Sequence, residues 1–235
     1  MTEIAVHLQP GYLLRHWPYR ETSLIIDVLT RDFGRISLLA KGVRKPKSKT
    51  AGLLQPFNPL QLSFKGKSEL KTLTHVELLC APILLQGLPL CCGFYFNELI
   101  AHFLQKLDPH PEVYDLYQAC LRLLPDTLEM EGLLRTFELE LLEWVGYGLQ
   151  LERDCRNNKP VEASKSYCFD VVNGPFEAIG GDVSGKTLMA LKSKKFTDPG
   201  VMLEAKKIMR AAIDFHFQGK VVKSRAVVAK IIKRL

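Results

Sequence analysis

No apolar run in this 235-residue chain approaches the roughly 20 residues a helix needs to cross a bilayer. The first residues, MTEIAVHLQPGY, carry neither the basic head nor the apolar core of a signal peptide. Cysteine is scarce: there are six, and Cys80, Cys91, Cys92 and Cys120 lie among apolar neighbours. That pattern reads as small buried hydrophobes in a reducing compartment, not as a disulfide framework. The expectation is a cytoplasmic protein. Catalytic signatures are missing too. There is no G-x-S-x-G, and His75, His102, His110 and His216 are scattered with no spaced Ser or carboxylate to pair with. Cys155 and Cys168 belong to no C-x-x-C pair, whereas a zinc site needs four ligands at workable spacing. The residues therefore assign no catalytic group, no metal ligand and no cofactor, and the chain reads as a non-enzyme. It shows no internal repeat.

Positive charge is present in quantity, and it is unevenly spread. Residues 1–80 carry 12 Lys+Arg against 6 Asp+Glu, residues 81–150 carry 3 against 10, and residues 151–235 carry 17 against 9. Two basic regions flank an acidic one, so the basic regions are the candidates for a polyanionic partner. The stretch Phe33–Lys49 concentrates the signal. Arg35 to Lys41 alternates, with Ile36, Leu38 and Ala40 on one side and Arg35, Ser37, Leu39 and Lys41 on the other, as in a strand with one face buried. It runs into Arg44, Lys45, Lys47 and Lys49, interleaved with Pro46 and Ser48 and with no acid to offset them. Such a segment reads as a mobile cationic loop suited to a phosphate backbone. Its bland alternative is a solvated loop.

β-prone runs occur at Ile4–Trp17, Thr22–Thr30, Arg35–Lys41, Pro59–Phe64 and Leu70–Leu79. Five short strands in about eighty residues suggest a small closed barrel. The Lys65-Gly66-Lys67 turn closes a hairpin and adds two cations. Phe64 alternates with Leu60 and Leu62 and reads as core; Trp17 and Tyr19 flank Pro18 at a strand end and are candidates for stacking on bases. From Pro82 helical spacing takes over. One helix carries Leu90 to Leu104, a second opens at Pro111, and a third, capped by Asp126, carries Met130 to Val145. Residues 150–185 are polar and irregular, with a weak hairpin at Tyr167–Ile179. Helices return near Thr187–Lys194 and Pro199–Phe215, and a last one follows Ser224 with Val227, Val228, Ile231, Ile232 and Leu235 on one face. The fold class is α+β: an N-terminal five-stranded barrel over residues 1–80, an α-helical bundle over 81–149, and a small irregular and helical subdomain over 150–235.

One literal motif stands out. Gly180-Gly181-Asp182-Val183-Ser184-Gly185-Lys186-Thr187 matches the phosphate-cradling G-x-x-x-x-G-K-[ST] pattern. A true nucleotide-binding loop follows a buried parallel strand, and an acidic residue on another strand holds magnesium. Neither accompanies it here. The plainer reading is a loop whose Ser184 or Asp182 caps the next helix; a nucleotide-binding repair factor is the alternative.

In order along the chain stand Tyr19-Arg20-Glu21-Thr22-Ser23-Leu24, Gly34-Arg35, Ala40-Lys41-Gly42-Val43-Arg44 and Leu54-Gln55-Pro56-Phe57. Gly93 to Leu99, Arg135-Thr136-Phe137-Glu138-Leu139, Gly146-Tyr147-Gly148 and Ser224-Arg225 follow. Together they resemble the RecO family of bacterial recombination mediators over nearly the whole chain. The resemblance implies an OB-fold barrel, a helical bundle and a smaller C-terminal subdomain. It also implies binding of single- and double-stranded DNA, strand annealing, capture of the acidic tail of the single-strand-binding protein SSB, and cooperation with RecR to load RecA at the nucleoid. On this reading Arg35, Lys41, Arg44, Lys45, Lys47, Lys49, Lys65 and Lys67 are the DNA-binding set, and Arg135 contacts the SSB tail. Arg135 pairing with Glu131 or Glu138 is the structural alternative. Many members carry a four-cysteine zinc module after the G-Y-G motif. Here Cys155 stands alone at its start, Asn158 replaces the closing cysteine, and Phe176–Gly185 lacks the second pair, so zinc is not expected.

Overall fold

The computed structural model describes residues 4–196 and 198–232. The chain forms two compact units: residues up to Pro125 together with the chain from Val227 on, and Asp126–Ala226.

The first unit is built on a closed five-stranded barrel. Its strands are β1 (Ile4–Tyr19), β2 (Ser23–Thr30), β3 (Gly34–Ala40), β4 (Leu60–Gly66) and β5 (Leu70–Leu78), in the order β1-β2-β3-β5-β4. All neighbours are antiparallel except β3 and β5, which pair in parallel over Ser37–Leu39 and Leu70–Thr72. The long β1 serves both β2 and β4 by bending at two irregularities, Leu13/Arg15 and Val6/Gln9, as closure of a small barrel requires. The inward rows are the expected ones: Ile26 and Val28, Ile36, Leu38 and Ala40, and Leu60, Leu62 and Phe64 share one core with Leu13 and Val6.

Two features depart from the sequence reading. First, β3 buries both faces over its first half. Arg35 and Ser37, expected outside, are 9% and 5% exposed: the end of helix α2 (Gly87–Phe103) takes the Arg35 guanidinium, and the Ser37 hydroxyl donates to the buried Asp27 carboxylate at 3.4 Å. Second, the Gly42–Pro59 insertion is pinned at three points. Val43, Leu54 and Phe57 are each 3% exposed, and a single helical turn, α1 (Lys49–Leu53), fills the middle. Phe57 packs edge-on against Phe94, and it passes so close to Gly93 that a Cβ there would lie 2.8 Å from its ring. Its longest exposed run is the polar turn Arg44–Lys47.

Helices α2 and α3 (Pro111–Leu123, with proline in its first turn as expected) attach to the barrel through β1. Asn97 donates to the Leu14 carbonyl at 3.0 Å and accepts from the Tyr117 hydroxyl at 2.5 Å. The Tyr12 ring sits between Tyr114 and Tyr117, and burial pushes all three phenols above their ordinary range.

The second unit contains α4 (Met130–Trp144), a three-stranded sheet of β6 (Ser166–Asp170), β7 (Gly174–Glu177) and β8 (Val183–Ser184) in the order β7-β6-β8, then α5 (Gly185–Ser193) and α6 (Pro199–His216). Asp126 does not cap α4, which starts four residues later after Glu129. Salt bridges tie α4 to its neighbours: Glu140 to Lys194 at 2.8 Å, and Glu131 to Lys206. The last helix, α7, spans Lys223–Ile232; of its expected apolar face, Val227 is 52% exposed, and Val228, Ile231, Ile232 and Leu235 lie outside the residues whose side chains are described. Among the described residues no helix is long and apolar enough to cross a membrane.

Candidate nucleic-acid interface

The outer face of β1, β2 and β3 is covered at one end and open at the other. Tyr19 pairs with Ser23 to close a three-residue turn, Arg20–Thr22, beside the end of β3. From there an open groove of about 960 Å³ is lined by Tyr19, Arg20, Leu39, Lys41 and Lys45, with Glu21, Thr22, Ser23 and Gly42 completing its wall. The single acid among these residues is Glu21. Upstream on β1, Trp17 is 39% exposed with the Arg15 guanidinium 5.7 Å from its ring centre. Aromatic faces beside cations, on an exposed barrel strand, suit the unstacked bases and phosphates of a single strand.

The cationic turn forms one side of this groove because it is bonded to the other. The Arg44 backbone N–H donates to the Thr22 carbonyl at 2.8 Å, and its guanidinium donates to the Arg20 carbonyl at 3.2 Å. Arg44 thus braces the β1–β2 turn as well as carrying charge. Lys41, Lys45, Lys47 and Lys49 are exposed on the same connection. Lys65 and Lys67 are exposed too, but on the separate β4–β5 turn. Arg35 is placed differently from the rest of the expected set. It bridges the buried Asp27 carboxylate at 3.5 Å and donates to the Ala101 and Leu104 carbonyls at the C-terminal end of α2. Burial pulls its pKa below the usual arginine value, with Asp27 opposing. A guanidinium spent in this way has no surface from which to grip DNA. Arg20, Arg15 and Leu39 were not singled out from the sequence. They were legible only as part of a turn region and as an outward strand position, and pairing of β1, β2 and β3 is what gathers them.

Two family models account for most of the chain: Recombination protein O N terminal matches residues 1–81, and Recombination protein O C terminal matches residues 86–226. The chain belongs to the RecO family. It is 40% identical over 238 residues to the DNA repair protein RecO of Dechloromonas aromatica, covering 98% of this chain and 96% of that one. The RecO proteins of Methylococcus capsulatus (40% identity, 94% and 92% covered) and Nitrosospira multiformis (38%, 92% and 92%) are similar over nearly the same span. Membership places the protein in DNA repair.

RecO membership raises the question of zinc, and the residues present do not fit it. Where a first cysteine pair would close on a metal, the Asp154 carboxylate accepts three backbone N–H groups: Arg156 at 2.8 Å, Asn157 at 3.2 Å and Glu177 at 2.7 Å. Cys155 next to it is exposed, and its own N–H donates to the Pro175 carbonyl at 2.7 Å. Arg156 then lies over the Phe176 ring, 3.7 Å from its centre. A carboxylate holds together what a metal would tie. The bond from Glu177 and those from Arg156 and Asn157 hold the Asp154 carboxyl below its ordinary range against the opposing effect of burial. Its contribution is therefore complete above the ordinary carboxylate range and is lost as pH falls through the depressed folded value. Asp154→Asn should cost about 1.5–3 kcal/mol of stability at neutral pH, the scale for hydrogen bonds to a charged group. It should also flatten the acid limb of the stability curve. A chelator should leave the melting curve of the unmodified protein in place. Thermal melts across the acid range, with and without chelator, check both.

The phosphate-loop motif is explained by packing. Ser184 caps α5, accepting from the Thr187 N–H at 3.3 Å. Glu204 of α6 reaches the same helix end and accepts from the Ser184 N–H at 2.8 Å, the Ser184 hydroxyl at 2.8 Å and the Thr187 hydroxyl at 2.6 Å. Burial works to raise the Glu204 pKa, and the Thr187 and Ser184 bonds outweigh it, so the group stays anionic. A carboxylate already occupies the helix N-terminus a phosphate would need. The glycines have another use as well: a Cβ at Gly181 would meet the Tyr167 carbonyl at 2.4 Å, and one at Gly185 would meet the Glu162 carbonyl at 1.9 Å.

On α4, Arg135 is 5% exposed and donates to the buried Glu138 at 2.6 Å, one turn along the helix. Glu131, the other partner considered from the sequence, is bonded to Lys206. The Arg135 Nε has no hydrogen-bond partner among the described residues.

Proposed function

We propose that this protein is a non-enzymatic mediator of DNA repair and recombination. It binds single- and double-stranded DNA, anneals complementary strands and, with RecR, helps RecA load onto SSB-coated DNA at the nucleoid. The observation that carries this reading is the groove lined by Tyr19, Arg20, Lys41 and Lys45, with Lys47 and Lys49 exposed on the same connection. Annealing brings two like-charged strands together, so cations must offset phosphate repulsion while base edges stay free to pair. An open, shallow groove that holds backbone and stacks bases, without entering a major groove, meets that demand. In this reading residues 1–80 form the DNA-binding domain, while 81–149 and 150–235 serve partners and support. The direct test titrates fluorescent single- and double-stranded oligonucleotides across salt and follows annealing of complementary strands. Affinity should fall steeply with salt, and annealing should accelerate. Salt-independent or absent binding overturns the reading.

We assign the SSB tail to α4, where Arg135 has a donor to spare. Its burial means that a tail carboxylate reaches it only when a neighbouring side chain moves aside. Arg135→Ala should weaken an SSB-tail peptide by about 1.5–3 kcal/mol and leave binding of naked DNA unchanged. Loss of melting temperature with normal tail affinity would show instead that Arg135 serves only the helix through Glu138. Peptide titration, DNA titration and a melt on the one variant separate the two.

A further inference from the structure

Resting on the nucleic-acid reading of the barrel groove, we propose that Tyr19 and Arg20 form a clamp for one unpaired base, so that Arg20 is a specificity residue selecting single-stranded, base-bearing DNA over a bare polyanion. Three observations converge on Arg20. It sits at φ 51°, in the left-handed region that favours glycine, in a turn whose neighbours are ordinary. Glycine would hold this turn without strain, so retaining a long side chain there points to a use for it. The side chain is exposed, and its guanidinium lies 5.3 Å from the centre of the Tyr19 ring. A planar cation over an aromatic face is a surface on which a base stacks or between whose halves it inserts.

The surroundings support the assignment. The carbonyls of Arg20 and Thr22 are both taken by Arg44, so the turn is braced through its backbone and its side chains are left to the groove. Leu39 supplies an apolar floor, and Lys41 and Lys45 stand on the facing wall where the phosphates of the same nucleotide would lie. Glu21, Thr22 and Ser23 are the other polar residues of the rim.

The test compares two fluorescent oligomers of equal length and charge, one of thymidines and one of abasic sites, titrated by anisotropy into the full-length protein and two variants. The unmodified protein should prefer the thymidine oligomer by about tenfold, the scale of one base stacked on an aromatic group. Arg20→Lys, which keeps the charge but not the plane, should lower that preference several-fold, the Tyr19 ring still offering one face, while leaving the salt dependence as it was. Arg20→Gly should lower the preference equally and yet melt at a higher temperature, because glycine relieves the left-handed turn. Equal affinity of the unmodified protein for both oligomers, or a preference undiminished in both variants, overturns the clamp. Failure of both oligomers to bind the unmodified protein overturns the DNA reading itself, and the clamp with it.

Discussion

Arg35→Ala should cost on the order of 3–5 kcal/mol of stability, the range for removing one partner of a buried ion pair. Arg35 joins three elements of the first unit. It meets Asp27 of β2, whose side chain is fully buried, and it donates to two carbonyls at the end of α2. The C-terminal end of a helix carries partial negative charge and unpaired carbonyls, so a cation there satisfies both at once. Truncation would leave those carbonyls unpaired and leave the buried carboxylate with the Ser37 hydroxyl at 3.4 Å and with Arg15, which bridges it at 3.0 Å from the surface. Lysine should rescue poorly, because one ammonium cannot span carboxylate and carbonyls together. Replacing Arg35 by Met and Asp27 by Leu together should recover much of the loss, since an apolar pair avoids the desolvation of two charges. Urea unfolding of the three variants checks this. A loss below about 1 kcal/mol in Arg35→Ala, the scale of an exposed pair, would return Arg35 to the surface set.

Substituting Arg44, Lys45, Lys47 and Lys49 by alanine should weaken binding to DNA of any sequence. It should also flatten the slope of log affinity against log salt by about 3–4 units, one for each phosphate that the turn no longer neutralises. The structure refines this expectation. Arg44 also braces the β1–β2 turn, so its loss should disturb the groove as well as remove a charge. The triple variant that keeps Arg44 should flatten the slope by about 3 units and melt as the unmodified protein does, because all three lysines are exposed. Fluorescence titrations from low to moderate salt measure the slope. An unchanged slope in both variants would mean that the turn is solvated decoration.

Much of the fold was legible because its signals are local. Alternation in Arg35–Lys41 and in Leu60–Phe64 marked strands whose inward rows are the observed ones. Pro111 marked the start of α3, and the run from Met130 marked α4. The candidate site was legible as charge: within the uncompensated Arg44–Lys49 segment, Lys45 lines the groove and Arg44 bonds to the Arg20 carbonyl. What misled were charges read one residue at a time. Arg35 looked like an outward cation because strand alternation names a face without saying what covers it. Arg135 carried two possible partners at helical spacing, and the choice between Glu131 and Glu138 depended on Lys206 from another helix.

The sequence by itself determined the barrel-then-helix order, the family and the region of positive charge. The element order and the charge follow from hydrophobic period, turn residues or net charge over a short span, which survive any arrangement in space, and the family from the resemblance of motifs standing in order along the chain. Tertiary structure alone decided which cations are free. Burial under the end of α2 takes Arg35 out of the surface, and the Glu204 carboxylate fills the end of α5 that a phosphate-loop motif would offer. Asp154 takes over the tie that a metal would make. Pairing of β1 with β2 and β3 brings Tyr19, Arg20, Leu39, Lys41 and Lys45 around one groove from positions up to 26 residues apart. A charge or a hydrogen-bond donor counts toward binding only after neighbouring elements have left it unsatisfied, and those neighbours come from distant parts of the chain.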